Sequence, residues 1–477
     1  MDFSVFVKSV TDFLNNTDDF ISSTILLFVL AAAGIFFTAR TRFVQIRLFG
    51  ESCKLIMEKP SGDQKISSFQ ALMVSTASRV GTGNIVGVST AICLGGPGAC
   101  FWMWIMCIIG ASSAFIESTL AQIFKRKDKD GNSYGGPAYY IEQALKRPII
   151  SIIFCIFLIA AYAVGFNLLC SYNLQDSFAI YDFYDNFWTP LIVGLILAGS
   201  VGFCVLGGGK RILKLTEKIV PFMGIGYVLV ALIIIVINFK NIPATFSKIF
   251  EDAFDFRAIF GGLSGSCMVL GIKRGLFSNE AGVGSAPNAS ASADVTHPVK
   301  QGLVQTVSVY IDTMLLCTAT ALMCLCSGTA FNEKVSGAPF VQNAVSTIFG
   351  NFGPIFITFA MVLFAFTTLI GNLYYVENAL AYLNKKKKPS KKFMRFFYLG
   401  CVLIIFTGAL ISMDFAWAIA DITMAGMTII NIPCCAILSG IAIKALRDFE
   451  KQKKKKLNPV FKAKDIGLDD TNLSFWK

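Results

Sequence analysis

Eleven apolar runs, most of them close to the twenty residues that a helix needs to cross a bilayer, leave this chain one class of fold. Their approximate limits are 20–38, 69–94, 98–124, 150–174, 189–206, 216–238, 260–286, 300–327, 352–382, 396–412 and 415–443. In hydrocarbon every backbone N–H and C=O must be bonded internally, so runs of this length are helices. Only 15% of the 477 residues are charged, against about 25% in soluble domains, and the mean hydropathy is +0.63. The expectation is an all-α integral membrane protein with about eleven transmembrane helices.

The net charge of +12 would suit nucleic acid, but its distribution does not. Lys and Arg crowd alternate connections: 40–65, "KRKDKDG" at 125–131, "GGGKRILK" at 207–214, "NKKKKPSKK" at 384–392 and the tail "KALRDFEKQKKKK". The intervening connections are poor in them, with none in 173–186 and only Lys334 in 328–351. That alternation is the positive-inside pattern, which puts the N-terminus outside and the tail in the cytoplasm. The run 385–388 reads as a topology signal with some attraction for anionic lipid. Acidic residues (Asp2, Asp12, Asp18, Asp19) precede the first apolar run where a cleaved signal would be basic.

Most of the 14 cysteines lie inside apolar segments, as Cys317, Cys324 and Cys326 do, and read as free thiols that pack. The single histidine, His297, stands beside Pro298 as a loop residue, which leaves no material for histidine-based catalysis or proton relays.

Setting the first span aside leaves ten, five in 69–238 and five in 260–443. Five is odd, so the halves run in opposite directions through the membrane. Such inverted repeats are a secondary-transporter plan, and an interrupted span at the same place in both halves marks the binding site. Four regions follow: 1–66 with the extra helix, 67–240 and 241–443 as the two repeats, and 444–477 as a basic cytoplasmic tail. The first span of each half is interrupted, by "VGTGN" at 80–84 and by "GLFSNEAGVG" at 275–284.

Gly81, Gly83 and Gly87 are not a dinucleotide fingerprint, being one residue too long and without a preceding strand, and there is no phosphate-loop lysine. A small-residue packing face explains the glycines but not Thr82 and Asn84, polar groups that are costly in lipid. A helix broken here offers the N–H groups of a new half-helix to a carboxylate and free carbonyls around Ala77 and Val80 to a hard cation such as Na⁺. The second break adds Ser278, Asn279 and Glu280, with carbonyls near Leu276 and Phe277 for an ammonium group. Together the breaks suit a zwitterion.

Five blocks, "SSFQALMVSTASRVGTGNIVGVSTAICLGGPGACFWMW" (67–104), "YGGPAYYIEQAL" (134–145), "RGLFSNEAGVGSAPNASASADVTHPVKQGLVQ" (274–305), "YIDTMLLCTATAL" (310–322) and "FAFTTLIGNLYYVENA" (364–379), resemble the alanine or glycine:cation symporter family, in order over nearly the whole chain. The resemblance implies a LeuT-like five-plus-five inverted repeat with one extra N-terminal helix. It also implies a plasma membrane or bacterial inner membrane location, uptake of small neutral amino acids, and Na⁺, in some members H⁺, as coupling ion. No organic cofactor is implied, and a single chain is expected to act as a monomer. The substrate carboxylate would lie at Thr82 and Gly83 with Asn84 beside it, and Phe277 would line the pocket. Sodium would take the hydroxyls of Thr367 and Thr368 with carbonyls of Ala77, Val80 and Phe364. The alternative for two adjacent threonines in a membrane helix is back-bonding to their own helix.

Two positions depart from the family pattern: Cys170 stands where Gln is usual, and Asn372 where Trp is usual. Both are candidate substrate contacts, and together they suggest a substrate larger or more polar than alanine, such as serine, threonine or glutamine. Intramembrane carboxylates are functional candidates, here Glu117, Glu280, Asp312 and Glu377. Glu280 is expected at the second break, Asp312 and Glu377 as structural partners of Lys273, Arg274 or helix ends. A channel would need a continuous polar pore, and an enzyme an acid–base pair that the sequence lacks. An amino acid exchanger without ion coupling is the nearest rival.

Overall fold

The computed structural model describes residues 3–476 apart from 61–64, 129–130, 208, 256–265, 385–386 and 388. Lys385, Lys386 and Lys388 of the basic run, Lys129 and Asp130, and the start of the span expected at 260–286 thus lie outside the described residues. We number twelve helices: α1 Ser9–Arg40, α2 Ser68–Arg79, α3 Val86–Gly95, α4 Ala99–Ile123, α5 Pro148–Asp176, α6 Trp188–Val205, α7 Gly209–Ile237, α8 Cys267–Asn279, α9 Pro298–Cys326, α10 Phe352–Leu383, α11 Lys391–Gly408 and α12 Met413–Lys454.

Eight helices among the described residues are long and apolar enough to cross a membrane: α1, α4, α5, α6, α7, α9, α10 and α12. Of the other expected spans, 69–94 and 260–286 are the two interrupted ones, and α11 opens on Lys391, Lys392 and Arg395. The breaks thus appear as shortness: α2 has 12 residues, α3 has 10 and α8 has 13.

Side chains set where the half-helices start. Ser67 and Gln70 form a reciprocal capping box at α2, and Ser266 accepts the Val269 N–H at α8, satisfying donors that lack an intrahelical partner. Two groups of helices result. α4 packs most extensively on α9 and α8, which with α2 and α3 make a bundle; α5, α6, α10 and α11 pack on one another as a scaffold. α1 lies on the outside against α4 and α12.

The lysine and arginine beside the second break face α1 and α12, and not the carboxylates expected. Lys273 pairs with Asp18 of α1 (2.5 Å) and Asp421 of α12 (3.1 Å), and Arg274 with Asp421 (3.1 Å) over the Trp417 ring, 3.6 Å to its centroid. Glu377 instead accepts the Tyr398 hydroxyl of α11. All 14 cysteines are free thiols and only Cys53 is exposed.

Beyond α12 the chain folds back onto the bundle. The Phe461 N–H donates to Thr296 O (3.0 Å), the Trp476 indole to Gln122 O (2.8 Å), and Lys300 joins Asn458 (2.8 Å) to Glu58 (2.5 Å). Lys125 stacks on Phe475 and Trp476, 4.7 and 4.9 Å from the ring centroids. His297 lies in the loop before α9, as expected, but it is not exposed. It is buried as the N-cap of α9 between Phe449 and Phe461.

Candidate functional site

α2 stops at Arg79, and Thr82–Asn84 form one tight 3-10 turn before α3. Gly81 is required sterically: a Cβ there would lie 2.2 Å from Thr368 Oγ1 of α10. Asn84 closes the turn on itself, its Oδ1 accepting the Gly81 N–H at 2.9 Å. The first bond within the turn is Asn84 N–H to Gly81 O, so the Thr82 and Gly83 N–H groups keep the positions of unpaired first-turn donors.

The second break is built differently. Glu280 ends α8 in the left-handed region (φ +51°), and Gly282 and Gly284, both at φ +90°, carry the chain through conformations that favour glycine. Glu117 of α4 accepts the Gly282 N–H (3.3 Å) and the Asn431 amide (2.9 Å), and Asn431 donates to Gly282 O (2.9 Å). The Leu276 carbonyl accepts the Glu280 N–H at 2.8 Å, so it is not the free acceptor that the sequence suggested.

A buried polar cluster ties the breaks together. Asn84 Nδ2 donates to Asp312 Oδ1 (2.7 Å) and Ser278 Oγ (3.1 Å), and the Ser278 and Thr313 hydroxyls donate to Asp312 Oδ2 (2.6 and 2.9 Å). Asp312, expected as a partner of Lys273 or Arg274, thus joins α8 and the first break from a π-helical turn of α9, Tyr310–Cys317. Such turns recur at functional sites.

Between the breaks lies a cavity of about 20 Å³, space for one water. Gly81, Thr82 and Gly83 wall one side, and Phe166 and Cys170 of α5, Phe277 of α8 and Thr368 the other. Phe277 is wedged between Phe166 and Trp417, 4.8 Å from each ring centroid, and lies on Gly83, where a Cβ would meet it at 2.9 Å. Admitting an amino acid therefore requires this aromatic group to move.

Of the residues expected at a substrate, Thr82, Gly83, Cys170 and Phe277 line the cavity, while Asn84, Ser278 and Asn279 turn away from it into the brace between the breaks. Asn372 does not line the cavity either: it accepts from the Ser78 hydroxyl (2.8 Å) and donates to Asn167 (3.3 Å), pinning α2 and α5 to α10. The two threonines divide. Thr368 donates to Ala77 O at 3.2 Å, whereas Thr367 back-bonds to Leu363 O (2.9 Å) and Phe364 O (3.2 Å) and touches Met223 of α7. Successive residues on a helix are about 100° apart, so one face of α10 meets α2 and the next meets α7. Val80 ends α2, its N–H on Thr76 O (2.7 Å).

Phe166, Asn173 and Arg79 were not singled out from sequence. Asn173 donates to Thr82 Oγ1 at 3.0 Å, and Arg79 is a buried cation in the wall of the cavity. Phe166, Cys170 and Asn173 stand at i, i+4 and i+7, so one helical stripe extended from Cys170 identifies the first two.

The model of the sodium:alanine symporter family matches residues 7–463. The chain belongs to that family. A putative sodium/proton-dependent alanine carrier of Bacillus subtilis (strain 168) is 40% identical over 490 residues, covering 98% of both chains. A probable sodium/glutamine symporter of the same organism is 40% identical over 462 residues, 96% of this chain and 94% of its own. The structure resembles that of MhsT in complex with L-phenylalanine, with a TM-score of 0.59, 14% identity and coverage of 87% of this chain and 97% of that one. The chain is a multi-pass membrane transporter of LeuT-like fold, not an enzyme.

Proposed function

We propose that this symporter couples the entry of Na⁺ to the uptake of a small neutral amino acid by alternating access. The observation that carries this reading is the economy of the first break. On one side Thr82 and Gly83, whose N–H groups hold the positions of unpaired first-turn donors, line the cavity, where a carboxylate would take a positive helix end. Next to it the Ala77 carbonyl and Thr368 hydroxyl, 3.2 Å apart, offer the oxygen ligands that a hard cation prefers, with Val80 and Phe364 as candidate further carbonyls. One short stretch, from Ala77 to Gly83, then meets both ligands, and each raises the affinity of the other by the same factor. The ammonium group falls to the Phe277 carbonyl.

The substrate is of the alanine and glycine class and extends to serine, threonine or glutamine, since Cys170 is a smaller cavity wall than the glutamine usual there. The alanine carrier and the glutamine symporter among its relatives bracket this range. The two five-helix units, 67–240 and 241–443, would rock about the breaks, with the 384–392 connection and the tail in the cytoplasm and 173–186 outside.

Proteoliposome uptake of each neutral amino acid, D and L, with an inward Na⁺ gradient, a proton gradient or neither, tests the reading. Saturable accumulation driven by Na⁺ supports it. Accumulation driven by protons alone assigns the coupling ion to H⁺, and counterflow without accumulation makes the protein an exchanger. A single cysteine at Asp182, in a background without exposed thiols, should react with an impermeant reagent in intact cells; reaction only after permeabilisation reverses the topology.

A further inference from the structure

α7 meets the bundle along a groove that shares with the proposed transport site only Val80, a candidate carbonyl ligand of the cation. Its walls are Met73 and Val80 of α2, Gly224 and Val228 of α7 and Leu315 of α9, and its volume is about 320 Å³. The lining carries a single hydroxyl, that of Thr76, and this is hydrogen-bonded to Ser308 Oγ at 3.3 Å. Nothing lies within 4 Å of where a Cβ on Gly224 would project. The flanks are apolar and exposed, with Ile225, Leu229 and Leu315 open to the surroundings of a membrane span, so what reaches the groove is hydrocarbon. From Val220 to Leu229 and from Phe69 to Val80 it follows about eleven residues of helix, or roughly 16 Å, the shape of an extended chain.

One end of the groove is charged. Lys214 and Lys218, both exposed, precede Pro221, Ile225 and Val228 at spacings of four, three, four and three, and so stand on the same helical stripe as the lining. The Gln70 amide donates to Glu217 at 3.1 Å, which fixes this stretch of α7 against the start of α2. Long lysine stems run along apolar surface and deliver their ammonium groups to the interface.

We propose that this groove binds an anionic phospholipid, one acyl chain lying between α2, α7 and α9 and the phosphate held by Lys218 and Lys214. The chain is in contact with Val80, the residue immediately before Gly81, so the occupant braces the half-helix that carries the Ala77 carbonyl.

The full chain in nanodiscs containing phosphatidylglycerol or phosphatidylcholine with a diazirine on the acyl chain, followed by peptide mapping of the adducts, tests this. Phosphatidylglycerol adducts are expected to concentrate on 69–80, 220–229 and 311–316. Their excess over phosphatidylcholine adducts should be about ten- to thirty-fold, the attraction of two interfacial lysines for an anionic headgroup. Lys214→Gln with Lys218→Gln should erase that excess, and Gly224→Phe should remove the groove adducts while those on the exposed α6 face around Leu195 and Ile196 persist. Gly226→Phe, also in open space but outside the lining, should leave the pattern unchanged. Labelling of the groove no denser than that of the α6 face, or unaltered by Gly224→Phe, overturns the site. Equal labelling by the two lipids overturns the anionic headgroup.

Discussion

At the first break the side chain that satisfies the freed backbone comes from the break itself, Asn84 bonding the Gly81 N–H. At the second, Asn279 bonds the Ala281 N–H in the same way, but Glu117 of α4 and Asn431 of α12 add bonds from helices on both sides. The consequence is a division of labour. The first turn closes its own Gly81 N–H, and its side-chain anchors on Asp312, Ser278 and Asn173 leave the Thr82 and Gly83 donors for a ligand. A turn held by a carboxylate and an amide has its polar groups committed, and acts as a fixed joint. Changes at the first break should therefore move affinity at constant stability, and changes at the second should move stability.

The largest effect belongs to the joint. Glu117→Ala strips the Gly282 N–H and the Asn431 amide of a buried carboxylate partner, at about 1.5–3 kcal/mol for each such bond. The expected outcome is a fall of many degrees in the thermal midpoint of the detergent-solubilised protein and little folded transporter, with Glu117→Gln recovering part of both. An unchanged midpoint with altered substrate affinity would reverse the roles of the two breaks.

Next comes the cation pair. Thr368→Ala should raise the Na⁺ concentration for half-maximal uptake by roughly 10- to 150-fold, the loss of a ligand comparable to a charge-assisted hydrogen bond, and weaken substrate binding at fixed Na⁺. Thr367→Ala should shift it far less, because its hydroxyl is spent on Leu363 and Phe364. Equal effects of the two would mean that α10 turns both hydroxyls toward α2 when Na⁺ binds.

A smaller effect is set by pH. Burial first and Lys300 second hold His297, at the end of the second break's connection, down to about 3. The folded protein keeps it neutral while the unfolded chain protonates it near 6.5. Its stability contribution is thus complete above pH 6.5 and declines as the pH falls toward 3, by at most about 1.4 kcal/mol per unit. His297→Gln should flatten the midpoint-against-pH curve in that window. The smallest effect is on selectivity: Cys170→Gln narrows the cavity and should shift preference toward alanine and glycine by about 1–3 kcal/mol, read as ratios of uptake efficiency. The order of substrates unchanged in a folded, Na⁺-responsive Cys170→Gln would detach Cys170 from the substrate.

Both interruptions were legible, because glycine and polar residues inside an apolar run conflict with a helix whatever surrounds them. What decided their roles was not local. That Asn84 and Ser278 turn to Asp312, and that Leu276 is already bonded, depends on the φ +51° of Glu280 and on a π turn in α9, neither of which leaves a mark in composition. Lys273 and Arg274 meet Asp18 and Asp421 and not Asp312 or Glu377, because α1, outside the repeat, and α12, far along the second repeat, both pack beside α8. Asn372 was read as a pocket residue from a family position, and the structure uses it one layer away, between Ser78 and Asn167.

The returning segment after α12 touches Gln122, Lys125, Thr296 and Lys300, all at the ends of α4 and α9, and it is continuous with α12 itself. It makes α12 and the bundle one mechanical body at that end of the molecule. If bundle and scaffold shear past each other during transport, the slip plane cannot pass between α12 and α4 there. The seam left to it is the one where α12 faces α5, where Gly165 meets the Ala420 backbone and Gly426 meets the Phe157 ring with no side chain of their own between.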